Sequence, residues 1–86
     1  MTQVRAEEAV GVLNRVRRAQ GQLGGVVRMI EDGRDLADIV AQLKAVTRAL
    51  DKASFAMLAT ELRQRAVAGA DPAELDEMER LFLSIT

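Results

Sequence analysis

Residues 36–68, LADIVAQLKAVTRALDKASFAMLATELRQRAVA, decide the fold. Leu36, Ile39, Val40, Leu43, Val46, Leu50, Ala53, Met57, Leu58 and Leu62 recur at the period of an amphipathic helix. No glycine or proline interrupts the run, so it reads as one helix, on the order of 50 Å long at about 1.5 Å per residue. A chain of 86 residues holds nothing else of that length against which to bury such a stripe. It also sits near the lower size limit at which a monomer buries enough apolar surface to fold alone. The expectation is therefore an antiparallel partner helix from a second chain.

Reading upstream, Gly33 supplies a helix stop, and Asp35 followed by Asp38 resembles an N-cap with an acid in the first turn. A first helix is expected from about residue 5 to Asp32, with Val10, Leu13, Val16, Leu23, Val27 and Ile30 on one stripe. Gly21, Gly24 and Gly25 inside it each cost about 1 kcal/mol relative to alanine. Close helix packing would account for them, and so would a kink or a frayed segment. Downstream, Ala68, Gly69 and Ala70 mark a break. Asp71 as N-cap, Pro72 at the first helical position and Glu74 at the third open a helix to about Leu83, presenting Leu75, Met78, Leu81 and Phe82. The fold class is all-α, with three helices (about 5–32, 36–68 and 72–83) in a single helical domain over residues 1–86. Dimerisation would make an antiparallel four-helix bundle.

Composition narrows the chemistry. Hydrophobic residues make up 49% of the chain and aromatics 2%, Phe55 and Phe82, which is a helix-former's palette. Cysteine and histidine are both absent, which removes disulfides, thiolate metal sites and the usual general base. No cofactor is implied. There is no apolar run near the roughly 18 residues of a membrane span and no signal-like N-terminus, so a cytoplasmic protein without a membrane partner is expected.

The net charge of −1 is unevenly spread. Residues 12–52 carry eight basic and five acidic side chains, a net of +3, whereas residues 53–86 net −3. In a hairpin turning near residue 33 or 34, positions equally far from the turn lie side by side. Arg18 then faces about residue 49 and Arg15 about residue 52. Arg48 and Lys52 join Arg15 and Arg18, with Arg17 as a neighbour. Cations converging in this way favour a phosphate-bearing partner. The alternative is that they point at different azimuths and are individually solvated.

The string from Leu13 to Leu58, LNRVRRAQGQLGGVVRMIEDGRDLADIVAQLKAVTRALDKASFAML, resembles the copper-, nickel- and formaldehyde-sensing repressors, the CsoR/RcnR/FrmR family. It holds the GQ pair at Gly21 and Gln22, the EDGR turn and the AVTRALDK segment, with a weaker continuation through Val67. The resemblance implies an all-α protomer, a dimeric four-helix bundle, a dimer-of-dimers tetramer and no helix-turn-helix. It also implies a basic face that binds double-stranded operator DNA, to which Arg15, Arg18 and Lys52 correspond by position. Arg17 and Arg48 are added by the cluster argument.

The same resemblance locates a sensor site. Copper sensors of this kind hold Cu(I) with a cysteine near the start of the second helix, and with a histidine and a second cysteine four residues apart near its end. Those positions here are Leu36, Glu61 and Arg65. All three ligands are replaced. Leu36 and Glu61 lie roughly 37 Å apart along one helix, so only an antiparallel partner could bring them together. Three readings stand: a structural contact built on a Glu61–Arg65 ion pair at i,i+4; an anionic small-molecule effector bound by Arg65, with Arg63; or a hard divalent ion on Asp35, Asp38 and Glu61. Persulfide or formaldehyde sensing requires a nucleophilic cysteine and is excluded.

The expected function is a DNA-binding transcriptional repressor that does not sense Cu(I) through a thiolate site. Two alternatives are a helical interaction module that pairs with a DNA-binding paralogue, and a small all-helical mutase-type enzyme. The enzyme would place Arg15, Arg48, Lys52, Glu61 and Gln64 around a dianionic transition state. It requires the cations to line an internal cavity; a repressor requires them on an open face.

Overall fold

The computed structural model describes residues 3–69 and 71–85. A short 3-10 turn, Ala6–Glu8, leads into α1 (Val10–Glu31), followed by α2 (Leu36–Ala68) and α3 (Pro72–Ile85). The bounds of α2 are those expected. Helix α1 starts later than residue 5, because Ala9 leaves helical geometry with φ −114° and ψ 23°. Residues 6–8 bury no side chain, and without packing nothing offsets the entropic cost of one more α-turn there. Helix α3 continues past Leu83 to Ile85.

The connections follow from single residues. Gly33 adopts φ +67°, and its N–H donates to the Ile30 carbonyl at 3.2 Å while that of Arg34 donates to Met29 at 3.0 Å. This crossed pair is the Schellman stop, which satisfies the last carbonyls of α1. Asp35 occupies the N-cap position of α2 in extended geometry, but its side chain makes no cap hydrogen bond. Its carbonyl accepts from Ile39 N–H at 3.1 Å, so its stabilising part is charge near the helix start. Gly69, at φ +82°, ends α2; Ala70, the last residue of the expected break, lies outside the described residues. Asp71 does cap α3, its Oδ1 accepting from the Glu74 N–H at 3.0 Å.

Helix α1 folds back along α2, and α3 folds back on the C-terminal half of α2. There Phe55 and Phe82 meet edge to face, with centroids 5.7 Å apart, a pairing worth about 0.5–1.5 kcal/mol beyond burial. The protomer extends 52 × 26 × 16 Å, one bundle layer thick.

The interior is made of small residues. Val12, Ala19 and Val26 of α1 are buried with Val46 and Ala53 of α2 and Met78 of α3. In α1 and in α2 these buried apolar positions fall seven residues apart, the spacing of a straight helix-to-helix seam. The larger residues of the expected α1 stripe, Leu13, Val16, Leu23, Val27 and Ile30, are exposed instead, as are Leu36, Val40, Leu43 and Leu50 of α2. Each helix therefore carries two apolar columns, a narrow one used inside the hairpin and a broad one left on the surface.

The α1 glycines do not serve packing within the protomer. A Cβ on Gly21 would meet nothing within 4 Å, and at Gly24 and Gly25 the nearest atoms belong to Arg28 of the same helix. Helix α1 is unbroken through them. No helix among the described residues is long and apolar enough to cross a membrane.

Candidate functional site

The hairpin brings four of the five expected DNA-contacting residues together. Arg15 and Arg18 of α1 and Arg48 and Lys52 of α2 rim one shallow dish of about 260 Å³. Ala19, Ala45 and Ala49 form its floor, and Gln22 completes the wall. The register follows from the turn: the Schellman stop at Gly33 sets Ala19 level with Arg48 and Gln22 level with Ala45. Small floor residues let the helices approach closely and leave the long side chains to stand around the rim.

All four cationic residues are exposed. No acidic side chain lines the dish. None of the four forms an ion pair with another described residue. Arg17 is exposed but does not line the dish. At about 100° per residue it is rotated away from both Arg15 and Arg18. Gln22, singled out in sequence only as half of the GQ pair, carries no charge that would assign it to the cluster. Its spacing from Arg18 at i+4 and Arg15 at i+7 places it on the same face.

The three positions expected to correspond to the sensor ligands divide into two places. Leu36, at the first turn of α2, is 77% exposed. Glu61 and Arg65 lie near the other end of α2, so one protomer does not unite the set. Glu61 is 4% exposed, and its Oε2 stands 3.4 Å from Arg65 Nη2. Arg65 also reaches α3, its Nε lying 2.7 Å from Glu74 Oε2. That contact is an ion pair by distance, but it is not aligned as a hydrogen bond. Arg65 Nη2 in turn donates to the carbonyl of Gln3 at 3.1 Å. One guanidinium thus ties the N-terminal segment, α2 and α3 together between two carboxylates. Both Glu61 oxygens remain buried without a hydrogen-bond donor.

The donor set at these positions is a hydrocarbon, a carboxylate and a guanidinium. None is a soft ligand, and the set does not fit Cu(I). Asp35 and Asp38 sit at the opposite end of α2 from Glu61, and the described residues contain no group of three or more carboxylates that could hold a metal ion.

Comparison with known proteins supplies the family. Residues 8–84 match the model of the metal-sensitive transcriptional repressors. The chain is 40% identical over 50 residues to the copper-sensing transcriptional repressor CsoR of Mycobacterium ulcerans, a match covering 58% of this chain and 43% of that one. It is 39% identical over 61 residues to the copper-sensing transcriptional repressor RicR of Mycobacterium tuberculosis, covering 67% of this chain and 64% of the relative. The chain thus spans between about two fifths and two thirds of the length of these relatives. The crystal structure of the copper-sensing repressor CsoR with Cu(I) from Geobacillus thermodenitrificans superposes with a TM-score of 0.76 at 26% identity, covering 98% of this chain and 92% of the other. These relatives are repressors, and the cations here stand on an open face, so the mutase-type enzyme reading is set aside. With nearly the whole chain matched, it belongs to the family of metal-sensitive transcriptional repressors.

Proposed function

We propose that this protein is a cytoplasmic transcriptional repressor that holds double-stranded operator DNA through Arg15, Arg18, Arg48 and Lys52, with Arg17 at the edge of the contact. The observation that carries the reading is the gathering of four cations, with no acid, on one open dish. Such a surface gains free energy by releasing counterions from phosphates. Contacts of this kind fix position on the duplex; choice of operator comes from a few base contacts or from DNA shape. The exposed apolar columns favour self-association, as a dimer and then a dimer of dimers.

The input differs from that of the copper-sensing relatives. Leu36, Glu61 and Arg65 offer no thiolate or imidazole, and Arg65 is already engaged by Glu61 and Glu74. This supports the structural-contact reading of the replaced site over capture of an anionic effector by Arg65, since an incoming anion would meet two carboxylates there.

Titrating the purified protein against its own upstream DNA, with salt varied and with and without Cu(I), tests both halves. Binding that weakens steeply with salt and ignores Cu(I) is expected. No binding at low salt would remove the repressor reading, and binding only with a paralogue present would turn it into that of an interaction module. Release by Cu(I) would overturn the account of the sensor positions.

A further inference from the structure

We infer that the dish between α1 and α2 is a discrete site for a short phosphoryl oxyanion chain, two or three phosphates long, and that free polyphosphate competes there with DNA. The inference rests on the proposed DNA-contacting role of the same residues and adds a regulatory ligand to it. Three observations carry it. The four rim cations have no ion-pair partner among the described residues and no acid in the lining. They repel one another until a multivalent anion arrives, and a single monovalent ion would leave most of that charge uncompensated. The dish is concave, about 260 Å³, and falls below the roughly 300–1,000 Å³ of pockets that enclose drug-sized ligands. It therefore suits a phosphate chain better than a whole nucleotide. Finally, the lining joins three guanidinium forks and an ammonium with the Gln22 amide, and arginine forks pair with phosphate oxygens in bidentate fashion. The anion specificity considered for Arg65 belongs instead at this dish, where the guanidinium groups are free.

Calorimetric and thermal-shift titration of the full chain with sodium tripolyphosphate, without DNA, reads the site directly. Sodium sulfate and sodium chloride at matched ionic strength are the controls. Saturable binding of one tripolyphosphate per protomer is expected, weakened about tenfold by Arg18→Ala or Arg48→Ala and unchanged by Arg80→Ala on α3. Amide chemical-shift changes confined to the two lining segments, residues 15–22 of α1 and 45–52 of α2, in the unmodified protein would locate the site even if a variant failed to fold. In a competition arm, tripolyphosphate should displace DNA at concentrations where matched chloride does not. An effect equal to that of matched chloride, or shift changes elsewhere, would overturn the inference. DNA binding without tripolyphosphate binding would sink this site alone; tripolyphosphate binding without DNA binding would sink the repressor reading and the competition with it, leaving only the anion site.

Discussion

Arg65 sits between Glu61 and Glu74, and removing it would leave two carboxylates facing each other across the α2–α3 joint. Breaking one side of a fully buried pair costs about 3–5 kcal/mol. Arg65 and Glu74 keep some solvent contact, so Arg65→Ala should destabilise the protein by about 2–3 kcal/mol in urea unfolding. Adding Glu61→Leu to Arg65→Ala should recover most of that loss, because it removes the stranded buried charge. If the double variant is no more stable than Arg65→Ala, the joint is not held as described. At the dish, Arg18→Ala or Lys52→Ala should lower the slope of log affinity against log salt by about 0.9 each while leaving circular dichroism unchanged. An unaltered slope would remove that side chain from the phosphate contact. Much of this was legible. The i,i+4 spacing displayed the Glu61–Arg65 pair, and counting back from Gly33 assembled the dish. The role of Glu74 was not, since it depends on how α3 docks, which local spacing does not encode. The burial of Glu61 was hidden for the same reason.

Among the elements, the strongest sequence signals were residues that terminate helices. Gly33 and Gly69 bound α2 on both sides because each takes a positive φ that costs an L-residue roughly 1–2 kcal/mol. Asp71 with Pro72 opens α3 as expected, and Asp71→Ala should cost about 1 kcal/mol and lower helix content. The start of α1 was misjudged because nothing there marks it: Ala9 caps with no side-chain hydrogen bond. Which face of α1 meets α2 was not legible for a different reason. Periodicity finds apolar positions, but it does not say which of two adjacent columns turns toward the chain's own α2. The narrow Val12, Ala19 and Val26 column does so because small residues let the hairpin close, which leaves the leucines outside. Gly21 tests whether anything else uses α1. With open space around its Cβ, Gly21→Ala should stabilise the helix by about 1 kcal/mol and raise Tm by roughly 4–8 °C. A lower Tm would show that a partner copy packs within contact distance of that glycine.

For the whole molecule, the decisive fact is that the large apolar side chains are outside. The buried apolar set contains alanines, valines and one methionine, whereas Leu13, Leu23, Leu43, Leu50 and Ile30 are all more than a third exposed. Full burial of each such side chain is worth about 1.5–3 kcal/mol, comparable in sum to the entire stability of a small domain. The folded state is thus expected to be linked to association, with a Tm that rises with protein concentration by mass action. Leu50→Asp, on the exposed column of α2, should shift sedimentation toward monomer and lower Tm without touching the dish. The same variant bears on function. A dimer presents two dishes at fixed spacing, so the second phosphate contact forms at high effective concentration and affinity exceeds that of either dish alone. Leu50→Asp should therefore weaken DNA binding steeply although all four cations remain. If it binds DNA as tightly as the unmodified protein while sedimenting as a monomer, one dish suffices, and the exposed columns serve something other than the grip on DNA.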